Sequence, residues 1–274
     1  MQRVLFYVML VMMLAACPAF SQSSGMIRYE EKMDVHKQLP AGMEGMKSMI
    51  PQFSSTVFRL YFDKTSSLYK GFDEDQPPAP TFGGGGGFGG GPPGGGAPGG
   101  GPPPGGGGGG RAFRGGFGGS SVDDQIHTAQ GMITALMDFL GQSYFMVDTL
   151  RIPQWKFGPD KRTILGYECN LAYYTDNSNP EKPQDVTAWY SPKIRAFVGP
   201  ARYNTLPGGI LALDINAGEH YWVARKIELR ELDATEVIVA PTPKKNSKAT
   251  TYDAFVKAQD DQMKQMRSRF GGGR

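Results

Sequence analysis

At 274 residues the chain has length for one large or two small domains, but its 39 glycines and 21 prolines far exceed ordinary usage and concentrate in one segment, which leaves one domain of ordinary size. With 29 basic against 26 acidic side chains the net charge is +3, too balanced to leave an electrostatic footprint for nucleic acid or an anionic membrane. Two cysteines exclude a disulfide framework.

Met1-Gln2-Arg3 supplies a positive n-region, and Val4 to Leu14 an apolar run too short to cross a bilayer as a mature helix, the pattern of a secretory signal. Its end reads two ways. Leu14-Ala15-Ala16-Cys17 fits a lipobox that leaves Cys17 acylated and the protein tethered to a membrane, whereas Ala19-Phe20-Ser21 before Gln22 fits ordinary cleavage. Pro18 directly after the cysteine disfavours the first. Residues 1–21 are therefore assigned as a signal peptide, and the mature chain is expected in the periplasm or outside the cell, with tethering through Cys17 as the alternative. No later segment is apolar and long enough to span a membrane as a helix.

Met26 to Val35 alternates as a half-buried strand, with Ile27, Tyr29, Met33 and Val35 on one face and Arg28, Glu30, Lys32 and Asp34 on the other. Leu39 to Ile50 spaces Met43, Met46 and Met49 by three, one side of a short helix whose thioethers would fill gaps against a sheet. The alternative is copper handling, because soft thioethers suit Cu(I), although no His or Cys is interleaved. Phe53 to Asp63 forms a second strand, with Phe58, Leu60 and Phe62 on one face and Arg59 and Tyr61 on the other. A polar turn over Lys64 to Ser67 leads to a third strand at Leu68 to Phe72.

From 76 to 119 the chain is nearly all Gly and Pro and is expected to be a flexible insertion between two strands, since it has too little apolar surface to offset ordering. Arg111 to Phe117 superficially matches an RGG/Phe nucleic-acid segment, a reading that export and balanced charge oppose. Residues 121–138 stay open between helix and strand: Ile126, Ala129, Ile133, Leu136, Met137 and Leu140 fit helical spacing, with Gly141 as a stop.

Beyond Trp155, a polar turn at Lys161-Arg162-Thr163 precedes a long strand from Thr163 to Tyr174. Leu165, Tyr167, Cys169, Leu171 and Tyr173 share one face, and Cys169 is expected as a buried unpaired thiol. Val186 to Ile215 reads as strand, Pro-gated corner, tight turn and strand. In Leu206-Pro207-Gly208-Gly209 the proline supplies a fixed φ and glycine the positive φ of a type II turn. Tyr221, Val223, Ile227 and Leu229 line a further strand, and Val237 to Val239 a last short one. Tyr252 to Phe270 is a polar amphipathic helix anchored by Phe255, Met263, Met266 and Phe270.

Several ordered blocks carry a family resemblance: Trp155-Lys156, Ile164 to Cys169, Ala188-Trp189-Tyr190-Ser191-Pro192, Gly199-Pro200, Tyr203, Leu206-Pro207-Gly208-Gly209-Ile210, and Lys226-Ile227 before Pro241. Together these resemble the GLPGLI family of exported bacterial proteins, whose biochemical function is not established. Leu206, Pro207, Gly208 and Ile210 keep the naming motif, while Thr205 stands where the family has Gly and Gly209 where it has Leu. The resemblance implies processing at the Ser21-Gln22 junction and a strand from Phe139 onward.

The expected architecture is mainly β: one antiparallel, strongly twisted sheet curling toward a half-barrel, with a C-terminal helix and one short helix after the first strand. Residues 22–75 and 120–243 build the β domain around the 76–119 insertion, and 244–274 form the helix and tail. No nucleophile elbow, zinc-binding or phosphate-binding motif is present, and His36, His127 and His220 are scattered. No cofactor or metal is expected. Trp189, Tyr190, Tyr203 and Trp222 are the candidate ligand-binding residues, because aromatics give large contact area at low entropic cost. The chain is thus expected to be a non-catalytic envelope protein binding a hydrophobic small molecule or another envelope protein on a concave sheet face. The alternative is an envelope hydrolase with a cleft near Trp189.

Overall fold

The computed structural model describes residues 23–39, 44–77, 120–179 and 182–271. The leader with Cys17, and almost all of the Gly/Pro insertion, lie outside the described residues. Strand β1 (Gly25–Asp34) is followed by a four-residue helix α1 (Val35–Gln38) and then by strands β2 (Phe53–Phe62) and β3 (Ser66–Gly71). Past the insertion come β4 (Gln125–Ala129), β5 (Met132–Phe139), β6 (Gln142–Thr149), β7 (Lys156–Ile164) and β8 (Tyr167–Asp176). The chain continues through β9 (Gln184–Ser191), β10 (Gly209–Ile215), β11 (His220–Glu228), β12 (Lys248–Thr250) and the helix α2 (Tyr252–Gly271).

Among the described residues these strands form one 12-stranded sheet in the order β12-β6-β5-β4-β3-β2-β1-β11-β10-β9-β8-β7. The protein is mainly β. Neighbours pair antiparallel except β12, which runs parallel to β6, so the expectation of a purely antiparallel sheet is corrected. The chain leaves β11 at the centre of the sheet and crosses to its far edge, arriving in the same sense as β6. Val237 and Val239, expected in a last strand, lie outside any strand at 59% and 60% exposure.

Three hairpins come from two-residue X-Gly turns in which both residues have positive φ: Gln130-Gly131, Leu140-Gly141 and Leu165-Gly166. This geometry matches the twist of the flanking strands. The helical option for 125–140 is therefore overturned. Ile126 and Ile133 only mimic helical spacing because the intervening turn resets the two-residue alternation. The polar turn expected at 161–163 lies inside β7 instead, and the chain reverses at Leu165-Gly166. Pairing of β8 with β9 sets Ala172 opposite Ala188 and Tyr174 opposite Val186, so Tyr174 packs on the core while Tyr173 is 42% exposed.

The methionine helix is corrected as well. Leu39 has the extended backbone that a following proline enforces, which ends α1, and only a 3-10 turn follows at Glu44–Ser48. Met49 is 62% exposed rather than packed, while Met43 and the side chain of Met46 lie outside the described residues.

The core joins Ile27 and Tyr29 of β1, Phe58, Leu60 and Phe62 of β2, Tyr69 of β3, and Leu213, Ile215 and Trp222 of β10 and β11. The connection from Pro192 to Gly208 folds back onto this face, where Ile194, Val198, Tyr203 and Leu206 are buried in the same core. The Tyr29 hydroxyl donates to the carbonyl of Ile210 at 2.6 Å. Asn204 Nδ2 donates to Thr128 Oγ1 on β4 at 2.9 Å. Helix α2 lies on the β6 end, with the Phe255 ring edge-on to Tyr144 at 5.0 Å and buried at 4% exposure. The side chains of Met266 and Phe270 lie outside the described residues. No described helix is long and apolar enough to cross a membrane.

Candidate functional site

In a flat sheet β4 and β10 would lie about 24 Å apart, five strand spacings of about 4.8 Å. Yet Ile126 of β4 and Ile215 of β10 line one cavity of about 250 Å³. The sheet therefore curves until its two halves face each other, without closing into a barrel. Ile133, Ala135 and Met137 of β5 and Met146 of β6 supply the apolar part of one wall, and Asp148 stands at the next inward position of β6. Trp222 and Ile215 supply the other, and Phe255 of α2 contributes from the side.

The polar rim gathers around Arg202. Its guanidinium donates through Nη2 to Asp176 Oδ2 at 2.8 Å and lies over the rings of Tyr252 and Tyr203 at 4.1 and 5.1 Å. Burial pushes the Tyr252 hydroxyl above its ordinary range, against the opposing pull of Arg202. Tyr203 in turn lies 5.8 Å from Trp222, and the His220 ring stacks on Trp222 at 4.0 Å. Two of the four aromatic residues nominated from sequence, Tyr203 and Trp222, are thus brought together at the cavity. The other two are elsewhere. Tyr190 is buried in the core with its ring 6.1 Å from Phe157, and Trp189 lies on the opposite face of β9, under the Arg162 guanidinium at 4.9 Å.

Behind the cavity wall sits a polar group that the sequence reading missed. Glu31 is 3% exposed and its Oε1 meets His220 Nε2 at 2.5 Å while accepting from Ser120 Oγ at 2.9 Å. Its Oε2 has no partner among the described residues. The signal was available, since Glu31 occupies the inward position between Tyr29 and Met33 where the alternation calls for an apolar residue. Asp124 is nearby and also buried, accepting from the backbone N–H groups of Ser121 and Asp138 at 2.9 and 2.8 Å. Burial drives its carboxyl well above the usual range, and Glu31 adds to that rise. Burial and then Glu31 likewise raise Tyr69. The Trp222 indole comes near enough to the Tyr69 hydroxyl to oppose this, without hydrogen-bond geometry.

The Leu206-Pro207-Gly208-Gly209 stretch keeps its structural role for a different reason than the one expected. Neither glycine has positive φ. A Cβ on Gly208 would lie 2.3 Å from the Ser191 carbonyl oxygen, and one on Gly209 would lie 2.4 Å from Ile194 Cγ2. Glycine is required there by close approach of backbone and core, with Leu206 and Ile210 buried on either side of Pro207 and the pair. Thr205 has a local explanation too, because its hydroxyl accepts from Trp155 Nε1 at 2.9 Å.

Near Trp189 the Ser191 hydroxyl is buried and has no partner among the described residues. His36 bonds the carbonyl of Ile50, His127 sits on β4, and His220 is held by Glu31. The described residues contain no group of three or more His, Cys, Asp or Glu side chains placed to hold a metal ion.

Fold and cavity together define a mainly β protein built on one curved, open sheet that carries a half-open cavity of mixed apolar and polar lining. No protein-family model and no curated protein sequence matches the chain. Among solved structures it is similar to PNGF-II in two crystal forms, C2 and P21. The identities are 12% and 11% and the TM-scores 0.44 and 0.45, over 86% of this chain. The chain spans 32% of the length of PNGF-II in each comparison.

Proposed function

We propose that the chain is an exported, non-catalytic binding protein of the GLPGLI type that takes a hydrophobic ligand into the cavity between β4–β6 and β9–β11. One observation carries the reading: the interior of the curved sheet holds a 250 Å³ cavity with apolar walls and a polar rim, where a purely structural sheet would be filled. Scaled from a cavity of about 150 Å³ that holds benzene, that is room for about ten heavy atoms. This suits a short aliphatic or small aromatic molecule. Export is supported by the Met1 to Leu14 leader pattern, and the family reading by the ordered blocks from Trp155 to Pro241.

The test is chemical. Protein purified from the envelope of the producing cell is extracted with organic solvent, and the extract and the intact chain are weighed by mass spectrometry. A small hydrophobic molecule is expected in stoichiometric amount, and Ala135→Phe, which fills the cavity, is expected to lose it while remaining folded. An empty wild-type extract, or equal ligand in the filled variant, sinks the reading. The same spectra report whether the mature chain starts at Gln22 or at an acylated Cys17.

A further inference from the structure

The hydrogen-bond inventory of the rim specifies the head group of such a ligand. We infer that the cavity selects an aliphatic monocarboxylate of about eight carbons, with the tail against Ile133, Ala135 and Met146 and the carboxylate on Arg202. This rests on the binding reading above and goes beyond it.

Each carboxylate at the rim already accepts hydrogen bonds from the protein through both of its oxygens. Asp148 accepts from the backbone N–H groups of Thr149 at 2.8 Å and Tyr252 at 3.3 Å. Asp176 accepts from Ser178 through one oxygen and from Arg202 through the other. The second cation is used as well, since Arg151 makes a two-pronged contact with Asp253 at 3.0 and 2.9 Å.

What is left over donates. Arg202 makes one hydrogen bond among the described residues, to Asp176, out of five N–H groups. The hydroxyls of Tyr203 and Tyr252, both in the cavity lining, make none among the described residues. An ammonium head would find only Asp148 in this lining, with both oxygens already accepting from backbone N–H groups and with Arg151 and Arg202 nearby to repel it. An uncharged alcohol would leave most of the Arg202 donors unanswered. A carboxylate answers two of them at once in the planar geometry that a guanidinium favours. The Tyr252 and Tyr203 rings hold the guanidinium in place, so little side-chain entropy is lost on binding.

The test uses the full mature chain and three probes with one tail: sodium octanoate, octan-1-ol and octylamine, titrated by calorimetry at neutral pH. Octanoate is expected to bind one to one and about tenfold more tightly than either of the others. Arg202→Gln, which can still donate to Asp176, is expected to bring octanoate down to the affinity of octanol and to leave octanol unchanged. If that variant does not fold, Arg202→Lys is expected to lower octanoate affinity in the same sense. Ala135→Phe is expected to abolish binding of all three. Equal or tighter binding of octanol or octylamine overturns the head-group assignment while the cavity reading stands. Absence of binding by all three probes overturns both. Octanoate binding that survives in Ala135→Phe overturns the location.

Discussion

Glu31 of β1 and His220 of β11 meet at 2.5 Å from the inward faces of neighbouring strands, and the same carboxylate accepts from Ser120, the first described residue after the Gly/Pro insertion. Three segments far apart in sequence are therefore joined at one buried group. Removal of either member leaves the other unsatisfied in the core, so the two should be energetically coupled. Urea unfolding of Glu31→Ala, His220→Ala and the double variant is expected to give a coupling of about 1–3 kcal/mol. Additive single effects would mean that the pair contributes nothing as a pair.

Asp124 sets a pH dependence. Its folded-state pKa is raised by burial above the unfolded value of about 3.9, so its contribution to stability is fully present below that value and is lost as pH rises through the folded pKa. Asp124→Asn removes the titration. The stability of wild type relative to this variant is expected to fall between pH 4 and pH 8 in urea unfolding series. A flat difference over that range contradicts the raised pKa.

The glycines separate by mechanism. At Gly208 an alanine Cβ would lie 2.3 Å from a backbone oxygen that cannot move aside, for an expected loss of about 1–3 kcal/mol. At Gly141 φ is +79° with nothing within 4 Å, so Gly141→Ala should cost only the left-handed backbone penalty of about 1 kcal/mol. Thermal unfolding should rank Gly208→Ala as the less stable of the two, and the reverse order would remove the close-approach argument.

Cys169 is 0% exposed, and burial pushes its thiol up to about 11. In a Cys17→Ser chain at pH 8 the native protein is expected to resist a chromogenic disulfide reagent and to react fully once denatured. Prompt reaction of the native protein contradicts the burial.

The sequence alone determined most of the β strands and the burial of Cys169, because alternation is local and acts over two to ten residues. It also determined the strand–corner–strand of Val186 to Ile215, although the reason for its glycines lay in Ser191 and Ile194, which only the folded chain brings to Gly208 and Gly209. Local pattern failed at 125–140, where strand alternation reset by a turn looks helical, and at Thr163 to Tyr174, where the Leu165-Gly166 turn was taken for strand. The tertiary structure decided the site. Trp189 and Trp222 are both strand tryptophans, yet the phase of β9 puts one under Arg162 on the opposite face, while the folded sheet brings the other beside Tyr203 on the cavity. Curvature sums small twists over many strands, so no window of sequence displays it. The approach of Arg202 and Tyr252 to the cavity wall depends on it, whereas Glu31 and His220 meet through the pairing of the adjacent strands β1 and β11.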